Sequence, residues 1–432
     1  MTRFGRQSLY PTFNPNLFNC VLEPANVHKA WKQVRSNKGA PGVDGMTLEA
    51  FPDFAKRHWS SVRQSLLEGT YQPQPVRRKA IPKPQGGERI LGIPTVIDRV
   101  IQQAIAQVLQ PIFDPSFSNS SFGFRPERSA HDAVRQLRQH IRDGGQVAVD
   151  VDLKQFFDKV NHDALMVRVA RMIRGKRLLK LIGAYLRAGV LVEGQIQPTR
   201  LGVPQGGPLS PLLANIMLDD LDKELERRGH HFVRYADDFV ILVKSQSAGE
   251  RVMNSICRFL ERRLKLQVNK DKSRVVKATD CEYLGFTFPR NRIVWTDKSL
   301  NRFKRKVLEL TRRSWGISMV KRMHLLAHYL RGWMGYFALS EYYRPLPGLD
   351  EWIRRRIRCC FLKQWRYPRT IVRKLVNLGV SLKQAVMLAG SSKGPYRLAK
   401  TYAVQLGLNN GVLASLGLLS MKELWIRFHH SR

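Results

Sequence analysis

The stretch FVRYADDFVILV, residues 232–243, sets two adjacent carboxylates, Asp237 and Asp238, in a run dominated by aromatic, β-branched and aliphatic side chains. Two apolar runs separated by turn residues are typical of a β-hairpin. Asp is a common turn former, so the pair taken alone is more often a solvated turn than a catalytic site. The rest of the sequence decides between these two interpretations.

Charge is the unusual quantity of the composition. The chain has 432 residues, with 73 Lys and Arg against 34 Asp and Glu, a formal net charge of +39. A field of this sign and size favours polyanionic partners. Residues 301–432 carry 26 basic and 5 acidic residues, or +21, against +18 for residues 1–300. The C-terminal third is therefore the more cationic, and the length predicts two or three domains.

Membrane and secretion signals are not found in the sequence. No run reaches the roughly 18 apolar residues of a membrane span, and MTRFGRQSLYPTFNPN at the start lacks the apolar core of a signal peptide. The five cysteines form no CxxC pair, which argues against a zinc ribbon and a disulfide framework. We therefore expect a soluble, cytoplasmic protein that does not enter a membrane.

A second acidic segment precedes the hairpin. VAVDVDL, residues 147–153, alternates strictly, with three valines on one face and Ala148, Asp150 and Asp152 on the other. If this strand lies beside the hairpin in one antiparallel sheet, Asp152 converges with Asp237 and Asp238. Carboxylate oxygens of this kind suit Mg²⁺, and two such ions can stabilise an in-line phosphoryl displacement.

These residues and several further blocks resemble the reverse transcriptases, and in particular the group II intron-encoded, endonuclease-lacking bacterial type. The YADD box is preceded by VDVDLKQFFDKVNH and by LGVPQGGPLSPLLANIMLDDLD. The family-like blocks together span about residues 37–288, in the order of the family. They are NKGAPGVDG (37–45), IPKPQGGERILGIPT (81–95), SFGFRPERSAHDAV (121–134), 149–162, 201–222, 235–238, LQVNKDKSRV (266–275) and YLGFTF (283–288).

The resemblance implies an α+β polymerase in a right-hand arrangement. Fingers and palm, with an antiparallel palm sheet, are expected over residues 1–295. A helical thumb/maturase region, which includes LRGWMGYF (330–337), is expected over 296–380. Residues 381–432 are expected to form a short basic tail, a possible reduced DNA-binding region, without an endonuclease.

For the catalytic centre, the resemblance implies that Asp152, Asp237 and Asp238 are the catalytic metal ligands. They would hold two Mg²⁺ ions, with Mn²⁺ a possible substitute. Asp150 is left outside the set. Phe157, five residues after Asp152, resembles the steric gate beneath the sugar; alternatively Phe156 and Phe157 are adjacent core aromatics.

Four further residues resemble the family's nucleotide-binding positions. Lys83 and Arg89, on two predicted strands joined by a turn, match triphosphate-holding cations; a charged edge strand guarded against aggregation is the alternative. Gln205 resembles the residue that packs against the incoming nucleotide, followed by Gly206 and Gly207, which would let the backbone approach the template; a plain turn is the alternative. Lys272 matches a basic residue of the block LQVNKDKSRV (266–275), or is a surface lysine.

Helical periodicity dominates the C-terminal third. In EWIRRRIRCCFLKQW, residues 351–365, apolar side chains recur at helical spacing and leave Arg354, Arg355 and Arg358 outward. A solvated charged face is one interpretation, but acidic partners are scarce. Arginine interleaved with Trp333, Tyr336, Trp352 and Trp365 is the composition of an RNA-binding surface.

The expected function is RNA-directed DNA synthesis. The partners implied are an RNA template, a DNA or RNA primer, dNTPs, group II intron RNA and target DNA, in the bacterial cytosol or nucleoid. One alternative is a related reverse transcriptase without an intron, used in defence or DNA repair. An alternative of another class is an RNA-binding splicing factor without polymerase activity.

Overall fold

The computed structural model describes residues 16–82 and 88–430. The chain divides into two compact units, Met1–Ala278 and Thr279–Arg432, and each unit has its own apolar core. None of the helices in the described ranges is long and apolar enough to cross a membrane.

The first unit begins with a helical layer around a basic hairpin. Its hairpin strands, β1 (Val76–Pro82) and β2 (Glu88–Ile93), pair antiparallel from Arg77 opposite Ile93 to Pro82 opposite Glu88, as the sequence predicts. β4 (Val190–Val192) and β5 (Gln195–Gln197) complete a sheet of order β2-β1-β4-β5. The helices around it are α1 (Leu17–Val21), α2 (Pro24–Ser36), α3 (Phe51–Glu68), α4 (Val96–Phe113) and α5 (Ala130–Arg142).

A second sheet forms the predicted palm. It contains β3 (Val147–Val151), β6 (His231–Tyr235), β7 (Asp238–Val243) and β8 (Arg274–Lys277) in the order β6-β7-β3-β8, with every neighbouring pair antiparallel. The valines at 147, 149 and 151 are buried in the core, as their alternation predicts. The helices of this part are α6 (Phe156–Lys159), α7 (His162–Met172), α8 (Lys176–Arg187), α9 (Ser210–Arg227) and α10 (Gln246–Phe259).

The second unit is mainly helical. A short ribbon of β9 (Phe286–Thr287) and β10 (Val294–Trp295) precedes α11 (Asp297–Leu310), α12 (Met319–Phe337), α13 (Leu346–Trp365) and α14 (Pro368–Asn377). Apolar positions along these helices build one core, which includes Phe303, Leu330 and Ile357. The α+β class, the antiparallel sheet and the helical C-terminal region are thus confirmed.

The segment expected to be a short basic tail is folded. It forms α15 (Leu382–Ala389), α16 (Pro395–Leu398), α17 (Tyr402–Gly407), α18 (Asn410–Ser415) and α19 (Met421–His430). The buried Asp350 carboxylate of α13 accepts hydrogen bonds from the backbone N–H groups of Met421 (2.7 Å) and Lys422 (3.0 Å) and from the Ser420 hydroxyl (2.8 Å). A carboxylate at a helix N-terminus satisfies amides that have no partner within the helix. The expectation of a tail is therefore corrected: these helices share the core of α12 and α13.

Candidate active site

The register of the palm sheet brings the acidic segments together. β3 pairs with β7 so that Asp150 lies opposite Val240 and Val151 opposite Phe239. The next positions along the two strands, Asp152 and Asp238, therefore face each other across the sheet. Asp237 lies in the turn between β6 and β7, whose last and first residues, Tyr235 and Asp238, are paired. The predicted side-by-side placement of the two segments is confirmed.

The carboxylates of this edge repel one another. Part of the Asp238 residue is exposed to solvent. Loss of water around its carboxyl group, followed by the negative charges of Asp150, Asp237 and Asp152, raises the pKa of that carboxyl to about 7. The repulsion is an electrostatic cost that a bound cation would offset. The exposure leaves the group accessible to such a cation.

Asp152 is fixed by a turn that precedes β8. The Asn269 side-chain amide donates to Asp152 Oδ2 at 2.9 Å, and the Asn269 backbone N–H donates to the Asp152 carbonyl at 2.8 Å. The Asp152 backbone N–H donates in turn to the Ser273 hydroxyl at 3.1 Å. Three hydrogen bonds thus set the position of this residue. Lys272 lies in the same turn and is exposed.

Asp150 has a different partner. Its Oδ2 forms an ion pair with Arg274 Nε of the neighbouring strand β8 at 3.1 Å. The cation offsets its charge locally. This contact agrees with leaving Asp150 outside the metal-binding set.

A buried ion pair supports the turn of the YADD box. Arg234 in β6 and Asp222 in α9 are both fully buried, and the guanidinium donates to the two carboxylate oxygens at 2.7 and 2.5 Å. The Arg234 Nη1 also donates to the Asn215 side-chain carbonyl at 3.0 Å and to the Ala236 backbone carbonyl at 2.9 Å. Burial raises the pKa of Asp222, and the Arg234 guanidinium opposes that rise. The network therefore holds the backbone next to Asp237.

The same turn is packed against the loop before α5. Ala236 has a positive φ of 59°. A Cβ atom on Gly123 would lie 2.2 Å from the Ala236 backbone nitrogen, so only glycine fits there. The Gly123 carbonyl accepts from the Asn215 side-chain amide at 2.8 Å. The Arg234 side chain and the loop at Gly123 thus both hold the turn at Ala236 in place.

Phe157 and Phe156 are both buried, with 8% and 2% of their surfaces exposed, and their rings meet edge to face at 5.2 Å between centroids. The Phe157 carbonyl accepts from the Val203 backbone N–H at 2.6 Å, which joins it to the loop containing Gln205. The alternative that both are core aromatics agrees with the burial of the two rings, which is nearly complete for Phe156 and slightly less so for Phe157. The gate role of Phe157 stays a prediction.

The loop at Gln205 is bound to the basic hairpin. The Gln205 carbonyl accepts from the Gly92 N–H of β2 at 2.8 Å. A Cβ on Gly206, where φ is 123°, would lie 2.7 Å from the Gly92 carbonyl oxygen, and one on Gly207 would lie 2.4 Å from Gln102 Oε1. A side chain at either glycine would thus clash with the protein itself, and the approach of this backbone to a template stays a prediction.

Of the two predicted triphosphate cations, the structure describes the backbone of Arg89. Arg89 belongs to β2 and is paired with Ile81 of β1. Its side chain, and Lys83 as a whole, lie outside the described residues. Their role stays a prediction.

The arginines of α13 differ from the expectation. Arg358 is only 7% exposed, and its Nε donates to the Leu408 carbonyl at 2.8 Å, so the prediction that it faces outward is wrong. Arg354 and Arg355 are half-buried. Trp333, expected on an RNA surface, packs in the core at 4.6 Å from the ring of Phe303. Sequence periodicity did not reveal that α16–α18 cover this side of α13.

The donor set fits a divalent cation by its chemistry. Carboxylate oxygens from Asp152, Asp237 and Asp238, with neighbouring backbone carbonyls, are the hard ligands that Mg²⁺ takes. In residues 16–82 and 88–430, no three His, Cys, Asp or Glu side chains are already grouped at metal-ligating distances.

Sequence reasoning missed the residues that support the site, namely Arg234, Asp222, Asn215, Asn269 and Ser273. One signal was present: Arg234 is a charged residue inside an apolar strand, on the same face as Phe232. A charge at such a position needs a buried partner. The sequence gives no comparable signal for Asn269.

Comparison with known proteins agrees with this architecture. Residues 81–288 match the family described as "Reverse transcriptase (RNA-dependent DNA polymerase)", and residues 300–376 match "Group II intron, maturase-specific domain". Protein YkfC of Escherichia coli (strain K12) is 35% identical over 318 residues, covering 64% of this chain and 82% of that protein. The family match thus identifies the chain as an RNA-directed DNA polymerase.

Within that class, the chain belongs to the group II intron reverse transcriptase and maturase family. The group II intron-encoded protein LtrA of Lactococcus lactis subsp. cremoris is 30% identical over 358 residues, covering 68% of this chain and 59% of LtrA. Among solved structures, apo telomerase from Candida tropicalis aligns with a TM-score of 0.44 and 15% identity, over 83% of this chain and 65% of that one. Enzymes of this family use divalent metal ions.

Proposed function

We propose that this chain copies RNA into DNA by two-metal phosphoryl transfer at Asp152, Asp237 and Asp238. The observation that carries the proposal is the β3–β7 register, which sets Asp152 opposite Asp238 beside the turn that contains Asp237. When bound there, two Mg²⁺ ions would stabilise the attacking and leaving oxygens of the displacement.

The protein's own part in this mechanism is positioning and charge. Asn269 and Ser273 hold the backbone and one carboxylate oxygen of Asp152. Arg234 holds the carbonyl of Ala236, one residue before Asp237. Groups fixed before the substrate arrives need no reorganisation during the reaction.

The proposed nucleotide site surrounds these carboxylates. Lys83 and Arg89 would bind the triphosphate, and Lys272, in the turn that holds Asp152, would add a further cation near the reacting phosphates. Gln205 would pack against the incoming dNTP and Phe157 beneath its sugar. The backbone hydrogen bond from Gly92 to Gln205 links the hairpin to the loop, which supports the proposal that the two elements bind the same nucleotide.

The proposed partners are an RNA template, a DNA or RNA primer, dNTPs, group II intron RNA and target DNA. The maturase-specific match over residues 300–376 and the +21 charge of residues 301–432 support assistance to intron splicing and mobility. We assign fingers and palm to residues 1–295, thumb and maturase to 296–380, and a reduced DNA-binding region to 381–432. The place of action would be the bacterial cytosol or nucleoid.

The substitution Asp237→Asn tests the catalytic assignment. Primer extension on an RNA template should fall by about a thousandfold or more, because metal stabilisation of the transition state is worth several kcal/mol. RNA affinity, measured by filter binding, should stay nearly unchanged, because the lost charge serves the metal. Asp143→Asn, which removes the same charge at the exposed end of α5, should leave extension intact. Full extension by the Asp237→Asn variant would refute the site.

A further inference from the structure

A cleft of about 550 Å³ lies in the C-terminal unit between α13 and the segment that follows α16. Four cations and one carboxylate, that of Glu351, are among the residues that line it. The excess of positive charge selects an anionic ligand. The cations are Arg354, Arg355, Arg358 and Lys400.

Arg358 is the most informative of these cations. Only 7% of its surface is exposed, and its Nε donates a hydrogen bond to the Leu408 carbonyl. Within the described ranges, no carboxylate lies within 4.0 Å of the guanidinium groups of Arg354, Arg355 or Arg358. Burial and the neighbouring charge of Arg354 lower the pKa of Arg358. A buried charge in such surroundings is costly until an anion joins it.

Arg355 is held in place before any ligand arrives. Its Nε and Nη2 donate to the Tyr396 carbonyl at 3.2 and 3.0 Å, and its guanidinium carbon lies 3.6 Å from the centre of the Tyr396 ring. A fixed guanidinium loses little entropy when it binds a phosphate. The wall of the cleft is thus organised for an anion.

The remaining lining groups are suited to a base. The Trp352 indole lines the cleft, with the Arg356 guanidinium carbon 5.9 Å from its ring centre. The Gln405 side-chain nitrogen donates to the Lys400 carbonyl at 2.8 Å, and its oxygen and the Asn410 amide supply hydrogen-bonding groups in the same lining. Unpaired bases are recognised by stacking on aromatic rings and by hydrogen bonds to their edges. The volume is in the range of pockets that hold molecules of nucleotide size.

We propose that this cleft binds one unpaired nucleotide of a nucleic-acid strand, with its phosphate on the arginines and Lys400 and its base against Trp352. The inference rests on the proposed function in so far as the chain handles nucleic acid, and it adds a defined nucleotide site outside the polymerase centre. The chemistry is shared by RNA and DNA strands. The experiment below therefore compares a ribonucleotide probe with a deoxyribonucleotide probe, to determine which kind of strand binds in the cleft.

Photocrosslinking tests the proposal on the full chain. Oligonucleotides of twelve 5-iodouridines or twelve 5-iodo-deoxyuridines are irradiated with the protein in EDTA without dNTPs, and the linked peptide is identified by mass spectrometry. We expect a crosslink at Trp352 with at least one of the two probes. Trp352→Leu should remove it and weaken binding about tenfold, and Trp352→Phe should retain affinity, since stacking on one ring is worth about 1–3 kcal/mol.

The charge component has its own readout. Arg354→Gln with Lys400→Gln should reduce the slope of log affinity against log salt by about 0.7, since the cleft holds one phosphate and each phosphate contact on a single strand contributes about 0.7. Lys363→Gln with Lys374→Gln, which removes two exposed cations outside the cleft lining, should keep the Trp352 crosslink. Arg358 is left unchanged because it also holds Leu408.

Two results would overturn the proposal. One is the lack of any crosslink at Trp352 with both probes; the other is a Trp352→Leu variant with the affinity and salt slope of the parent. Because no metal or dNTP is present, failure of the polymerase assignment would leave this measurement unaffected.

Discussion

At the scale of single residues, Phe157 and Phe156 offer a matched pair. Both rings are buried in the same core, and the two residues are neighbours in the sequence, four and five positions after Asp152. Phe157→Ala should open space beneath the sugar of the incoming nucleotide and raise the use of rNTP relative to dNTP. The measurement is the ratio of extension rates with the two substrates, which does not depend on how much protein is folded.

Phe156→Ala is the control for this prediction. Either substitution should destabilise the protein by about 3–5 kcal/mol, as removal of a buried Phe side chain usually does. Only the change at Phe157 should alter the substrate ratio. An unchanged ratio in an active Phe157→Ala variant would mean that this ring is packing alone.

At the scale of elements, Arg234 joins α9, β6 and the YADD turn. Arg234→Met leaves the buried Asp222 carboxylate without its cation, which should cost about 3–5 kcal/mol of unfolding free energy in urea titrations. It also removes the donor to the Ala236 carbonyl. We therefore expect primer extension to fall as well.

The double variant Arg234→Met with Asp222→Leu separates these two effects. Replacing both members of a buried ion pair by apolar groups is often neutral. Most of the stability should return, whereas extension should stay low because the turn still lacks its hydrogen bond. If extension recovers together with stability, the bond to Ala236 has no part in positioning Asp237.

The elements also show what the sequence can and cannot predict. Alternation at 147–151 and the turn at Asp237 sufficed to predict two neighbouring strands, because each pattern is local. The partners of Arg234 and Asp152 lie 12 and 117 residues away, in Asp222 and Asn269, and no local pattern encodes them. Arg358 was assigned to the wrong environment for the same reason: helical phase describes a helix in isolation, but later helices cover that face.

At the scale of the whole molecule, the net charge of +39 sets the response to salt. Self-repulsion of this size destabilises the folded state. Raising NaCl from about 0.1 to about 1 M shortens the Debye length from about 10 to about 3 Å, so the repulsion is screened. We expect the midpoint of thermal unfolding, measured by calorimetry, to rise by several degrees.

Glycine at the same molality is the control, because a zwitterion adds solute without screening charge. It should raise the unfolding midpoint much less than NaCl. Equal effects of the two solutes, or no effect of NaCl, would show that repulsion among the cations does not limit the stability of this protein.

The contacts that hold α19 and the loop before α18 have a consequence for how the gene can change. Asp350 binds the backbone N–H groups of Met421 and Lys422, which every amino acid except proline supplies, and Arg358 binds the backbone carbonyl of Leu408, which every amino acid supplies. Mutations opposite the two α13 residues can therefore accumulate without loss of the attachment. Divergent homologues should keep an acidic residue at the position of Asp350 and an arginine at the position of Arg358. The amino-acid types at 408, 421 and 422 should vary more.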